Sequence, residues 1–265
     1  MYEKILSYKY IQNSTQRLPL DSVEYRCRFC EKVKGKSDFR KKAHAVAECI
    51  GNKALITKYE CDECNDHFAK SEESELGKLL CEFKATHSIK GKNGVTKVPG
   101  ASFSWSEETK GFSADINMGD SLYDMAELDI SKDNYANFFL FQNKTINLRL
   151  VYGALVKFAL SVVSEPISKE LSQGYKLLYE RGTFPSYRVL LLISDRPIDK
   201  PEISIYESNN SANVKYMAAI DAFQFRYIIP LEFEDATKIS FLDVIPYIDT
   251  SGMSNCKVYT FDYSS

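Results

Sequence analysis

The chain has 265 residues, of which 44% are hydrophobic and 26% charged, with a formal net charge of −2 at neutral pH. This is the make-up of a globular chain long enough for two domains. It excludes a membrane span, because the most apolar stretch, Ile146 to Val163, is broken by Arg149 and Lys157. The charge is unevenly placed: residues 1–100 carry 19 Lys and Arg against 14 Asp and Glu, and residues 101–265 carry 15 against 22. Between Arg26 and Lys42 eight basic residues face two acidic ones. That local excess is the electrostatic footprint of a surface that meets phosphate, although a solvated strand pair has the same look.

In chain order, residues 1–24 are polar and aromatic without a period and are expected as a short strand or extended arm. Arg26 to Phe39 holds Cys27-Arg28-Phe29-Cys30 and a Lys-Gly-Lys-Ser turn, and Phe39 to His44 predicts a short strand. Gly51-Asn52 signals a turn, and Leu55 to Glu60 predicts a second strand leading into Cys61-Asp62-Glu63-Cys64. From Asp62 to Phe83 the period turns helical, with Phe68, Leu76, Leu79, Leu80 and Phe83 on one face. Short aromatic segments such as Ala101 to Trp105 and Gly111 to Ile116 then predict a β-rich insert. Ile146 to Val163 reads as a helix closed by Pro166, and Ile167 to Tyr179 as another. Strands are expected over Tyr187–Ser194, Glu202–Ser208, Val214–Glu232 and Val258–Tyr263, the middle two joined as a hairpin through Ser208-Asn209-Asn210-Ser211. The expected fold is α+β: an arm at 1–24, a metal-stapled unit at 25–84, the β-rich insert at 85–145 and an α+β domain at 146–265.

The two cysteine pairs carry the most chemistry. A CxxC turn sets two thiolates at the bite of a tetrahedral ion, and two such turns close a four-sulfur shell. Cys27, Cys30, Cys61 and Cys64 are therefore expected to hold a structural zinc ion, with thirty residues between the pairs. The bland alternative is four unrelated reduced thiols. Met1 to Tyr10 has no apolar stretch that would serve as a secretion signal, and seven cysteines is an odd number, so a reducing, cytoplasmic setting is expected over a disulfide framework. Cys49, Cys81 and Cys256 read as small core residues.

The order of the first pair, Ala43-His44, the second pair, and Asn65 at the head of a helix resembles the HNH endonucleases, in their zinc-stapled ββα-metal branch, over roughly residues 25 to 84. The resemblance implies a DNA phosphodiester hydrolase in which His44 is the general base and Asn65 holds a catalytic Mg2+ or Mn2+. The residue types suit that chemistry, since a neutral imidazole takes a proton from water near neutral pH and a divalent cation stabilises the departing oxygen. Where many members carry an acidic residue or histidine before the base, this chain has Ala43. Glu48, four residues after His44, is the replacement ligand if that stretch turns helical. Asn52 is the nearest counterpart of the asparagine that steadies the base loop. His67 also lies at the helix start, but two residues along a helix is a rotation of about 200°, so Asn65 is preferred over it. His87 reads as a surface or loop histidine. Arg40, Lys41 and Lys42 precede the base, and on a strand Arg40 and Lys42 would share its face as phosphate contacts.

Family settings of this kind include restriction and phage defence. The acidic remainder is a poor second DNA clamp and fits an activating partner or a homo-oligomer contact better. Two other classes stay open: a zinc knuckle that binds nucleic acid or protein without cutting, for which Ala43 speaks, and a thiol-exchanging sensor.

Overall fold

The computed structural model describes residues 2–10, 16–18, 25–33, 35–86, 90–91, 94–95, 101–106, 111–116, 123–130, 136–142, 145–209, 214–235, 250 and 252–263. His87 and part of the Ser208–Ser211 turn lie outside them. The fold is α+β, as expected. Two compact units divide the chain: residues 1–76 with 148–265, and residues 77–147.

Strand β1 (Tyr2–Lys9) and β2 (Gln16–Arg17) precede the first cysteine pair. A 3-10 turn at Lys36–Asp38, strand β3 (Ala43–His44), a second 3-10 turn at Glu48–Ile50 and β4 (Leu55–Thr57) lead to helix α1 (Asp62–Lys70). The predicted strand from Phe39 thus shrinks to two residues. The reason is that the Asp62 carboxylate accepts the backbone N–H groups of Arg40 and Lys41, at 3.4 and 2.9 Å, so these groups bond to a side chain of α1. Arg40 and Lys42 consequently do not alternate along a strand with His44. The predicted helix over Asp62–Phe83 is divided into α1, α2 (Glu72–Leu79) and α3 (Cys81–Thr86). Ser71 makes the first break: its hydroxyl donates back to the His67 carbonyl at 2.7 Å, a local bond that competes with helix continuation.

The second unit is β-rich, as the sequence predicts. Three antiparallel pairs follow one another: β5 (Lys90–Gly91) with β6 (Gly94–Val95), β7 (Ala101–Ser106) with β8 (Gly111–Ile116), and β9 (Tyr123–Ile130) with β10 (Ala136–Gln142).

The chain re-enters the first unit through α4 (Leu148–Val162), then α5 (Glu165–Glu170) and α6 (Ser172–Glu180). Pro166 sits in the first turn of α5, where its missing N–H is harmless. Strands β11 (Arg188–Ile193), β12 (Glu202–Ser208), β13 (Tyr216–Ala222), β14 (Phe225–Pro230) and β15 (Lys257–Asp262) join β1 in a six-stranded antiparallel sheet ordered β1-β12-β13-β14-β11-β15. The expected run from Val214 to Glu232 folds back on itself at Phe223-Gln224, with Phe223 at φ 58°. Asp221 and Arg226 lie opposite each other across that hairpin and pair through two bonds, at 2.6 and 3.0 Å, in the interior.

Helix α4 packs on β12, β13 and β14, and every residue from Val151 to Val162 is buried. A helix covered on all sides belongs to the core. Its second neighbour is the cysteine-bearing stretch. A Cβ on Gly153 would lie 3.0 Å from the Glu72 side chain, so the missing side chain permits close approach there. One turn on, Lys157 is wholly buried and pairs with Glu60 and Glu73 at 3.0 and 2.9 Å. Arg28 makes a third tie: its guanidinium lies 3.4 Å from the Tyr59 ring centroid and donates to the Val163 carbonyl at 2.8 Å. Phe29 meets Phe68 and Tyr175 edge-on, at 4.9 and 5.4 Å, which joins the first cysteine turn, α1 and α6 in one aromatic cluster. Among the described residues no helix is long and apolar enough to cross a membrane.

Lys157→Met keeps most of the aliphatic stem and leaves the buried Glu60 and the half-buried Glu73 carboxylates without their cation. The variant is expected to lose about 3–5 kcal/mol of unfolding free energy in urea titration. An unchanged midpoint would remove this cluster from the account of stability.

Candidate functional site

The four cysteines of the two pairs converge. Cys61 caps α1, its N–H points to the Cys27 sulfur at 3.4 Å, and Arg28 donates its N–H to the Tyr59 carbonyl at 2.8 Å, so the two knuckles are stapled through backbone. The four Sγ atoms lie within 4.8 Å of one another, with Cys27–Cys64 at 3.7 Å and Cys30–Cys61 at 4.0 Å. A tetrahedral shell with zinc–sulfur bonds near 2.3 Å has edges of about 3.8 Å, so the donor set fits such an ion. The thiols also interact as a group. Hydrogen bonding with Cys64 draws the Cys27 thiol down to about 5, whereas burial pushes Cys30 up to about 11. Cys64 is pushed up by its bond to Cys27 and by burial. Four thiolates this close need a cation among them. Cys49, Cys81 and Cys256 lie outside the cluster and are half-buried rather than core residues.

Beside this cluster, β3 and β4 pair antiparallel, with His44 opposite Ile56 and Ala43 opposite Thr57. Such a short ladder needs outside support. Asn52 supplies it from a wholly buried position: its Nδ2 donates to the carbonyls of Val46 and Leu55, and its Oδ1 accepts the N–H groups of Ala54 and Leu55 at 3.0 and 2.9 Å. The side chain thereby occupies all the bonding capacity it has. Glu48 opens the 3-10 turn after β3 and brings its Oε1 to 3.0 Å from His44 Nε2. The local turn expected near Glu48 therefore exists, and it places this carboxylate against His44.

Asn65 stands in the first turn of α1, one residue after Cys64, with its N–H bonded to the Cys61 carbonyl at 2.9 Å. The helix has begun by then, so His67 looks elsewhere: it packs edge-on against Phe68 at 5.3 Å, and its Nε2 is shielded without a hydrogen-bond partner among the described residues. Arg40 Nε donates to the Ser37 carbonyl at 2.8 Å, Lys41 pairs with Asp66, and Lys42 is exposed.

The group that sequence reasoning missed is Lys157. Besides its two carboxylates, its Nζ donates to the backbone carbonyl of His44 at 2.8 Å. Burial alone would lower this lysine's pKa, but Glu60 and Glu73 more than offset that and hold it above the ordinary value. Burial in turn pushes Glu60 up to about 7, against the pull of Lys157. One lysine within the mostly apolar stretch from Val151 to Val162 was the available signal, since lysine is almost never wholly buried unless paired.

Neither the curated proteins nor the solved structures compared with the chain give a match. The family comparison does: residues 27–80 match the family described as HNH endonuclease. The matched stretch is about a fifth of the chain, and it runs from the first clustered cysteine through β3, β4 and α1 into α2. Over residues 27–80 the chain is therefore similar to the HNH endonuclease family, with a four-cysteine cluster fit for the zinc staple.

Proposed function

We propose that this domain hydrolyses phosphodiester bonds in DNA, with His44 as the general base. The observation that carries this reading is the placement of His44 on the ββα hairpin within the matched stretch, its Nε2 held at 3.0 Å by Glu48. Nδ1 of the ring is shielded by protein, so the proton from water is to be taken at Nε2, on the side of the Glu48 carboxylate that orients the imidazole. That carboxylate also opposes the positive charge that the ring acquires in doing so.

In this reading Cys27, Cys30, Cys61 and Cys64 hold zinc, whose part is mechanical: it fixes the start of α1 and with it Asn65. Asn65, with Glu48 as a further oxygen donor, would hold a Mg2+ or Mn2+ ion, while His67, the other nitrogen donor offered by the sequence, is turned against Phe68 and takes no part. That ion supplies positive charge for the phosphate and the leaving oxygen. Arg40, Lys41 and Lys42 contact phosphate, Lys41 after release from Asp66. A cytoplasmic setting agrees with seven free cysteines, four of them gathered at one site. Action in restriction or phage defence, with an activating partner or a second copy on the C-terminal part, completes the proposal. The second reading, a knuckle that binds without cutting, is favoured by Ala43, a buried methyl group where a metal ligand is expected.

Plasmid cleavage by the purified protein with magnesium or manganese decides between them. Cutting is expected, and His44→Ala should reduce it by roughly a hundredfold or more while nucleic-acid binding stays. Binding without cutting by the wild-type protein would leave the second reading standing. The zinc assignment has its own test. Uptake by metal-free protein at neutral pH should release at least two protons per ion, from Cys30 and Cys64, whose thiols are pushed up. Calorimetry in two buffers of different ionisation enthalpy reads that number, and uptake without proton release would refute thiolate ligation.

A further inference from the structure

A cleft of about 300 Å³ opens between the Lys36–Asp38 turn, the residues leading into β3, and β4. Its floor includes Ile56, the ladder partner of His44, so whatever fills the cleft lies next to the strand that bears His44. Two half-buried aromatic rings line it, Tyr25 and Phe39, with centroids 5.6 Å apart and planes tilted by 46°. Five cationic side chains surround them. Lys41 is engaged by Asp66 and Arg40 by the Ser37 carbonyl, whereas exposed Lys36, Lys42 and Lys58 make no ion pair among the described residues. The single acid in the lining, Glu60, is turned to Lys157.

Cations alone would track any phosphate backbone and carry no preference for its form. The rings add a preference. Bases in a duplex cover each other's faces, while an unpaired base leaves a π-face open for stacking on an aromatic side chain flanked by positive charge. The volume lies at the small end of ligand clefts, roughly 300–1,000 Å³, which suits one base rather than a helix. We propose that this cleft takes an unpaired base of a nucleic-acid strand on Phe39 and Tyr25, with neighbouring phosphates on Lys36, Lys42 and Lys58. The substrate class is then single-stranded or locally opened nucleic acid. This rests on the reading of the domain as one that acts on nucleic acid, and it names the form.

The test is fluorescence anisotropy with full-length, zinc-loaded protein carrying His44→Ala and no added magnesium or manganese. The probes are a labelled mixed-sequence single strand and its blunt duplex, each as DNA and as RNA. The single strand of at least one sugar type should bind more tightly than its duplex, and the arm that does so names the sugar. Phe39→Ala should weaken that binding roughly tenfold, the scale of one lost stack, and leave the duplex unaffected; Phe39→Trp should restore it. Lys42→Ala with Lys58→Ala should weaken both forms and flatten the salt dependence. Should Phe39→Ala fail to retain zinc or fold, Phe39→Leu keeps the apolar bulk without the π-face and is expected to behave as Phe39→Ala does. Duplex bound as tightly as single strand in both sugars, or single-strand affinity unmoved in the folded Phe39 variants, overturns the inference. No cutting is measured, so an inactive plasmid assay leaves this result standing. A protein that cuts plasmid but lacks the single-strand preference overturns the cleft alone.

Discussion

A lysine with no exposed surface sits at the centre of the first unit, and much of the architecture follows from the need to satisfy it. An ammonium removed from water costs several kcal/mol unless its charge and its three protons are all met. Lys157 meets its charge with Glu60 and Glu73 and donates to Glu73 and the His44 carbonyl, three groups from three separate pieces of the matched stretch. Its own helix lies on β12, β13 and β14. The ion cluster therefore couples the sheet to the hairpin that carries the proposed base, and a change in one is felt in the other.

The hairpin needs that coupling because it has little of its own. Two residues of β3 against three of β4 cannot define a position to the fraction of an ångström that catalysis demands. Three restraints do so together. Asn52 closes the loop from inside, Lys157 grips the strand by its carbonyl, and the cysteine cluster fixes the helix that faces it. Each uses a different force: neutral hydrogen bonds, a buried ion pair, and thiolate ligation. None relies on a large local hydrophobic core, which so short a motif cannot build.

The features legible in the sequence are those with a fixed spacing. Two CxxC turns, a histidine between them and an asparagine after them suffice to locate the domain, and helical period suffices for α4. Boundaries failed where a side chain took a backbone group out of its regular partner: Asp62 at Arg40 and Lys41, Ser71 at His67. The partners of Glu60 were invisible for another reason. Lys157 stands about a hundred residues away in sequence, and no periodicity links two charges that meet only through tertiary packing. Glu48 was legible because its helical-turn spacing from His44 is local, whereas the Tyr25–Phe39 cleft depends on how the first knuckle folds over β4.

The edge position of β1 has a consequence for how the molecule comes into being. Tyr2 pairs with Ser208 and Lys9 with Glu202, so β1 waits for a partner synthesised about two hundred residues later. The nascent chain passes through a long period with His44 already outside the ribosome and its carbonyl grip, on Lys157, still unmade. Translation runs at roughly 5–20 residues per second, which puts many seconds between emergence of the histidine and completion of the sheet behind it. During that interval the β3–β4 hairpin is present without its support, and α4, made about a hundred residues after His44, delays assembly of the site until it has arrived.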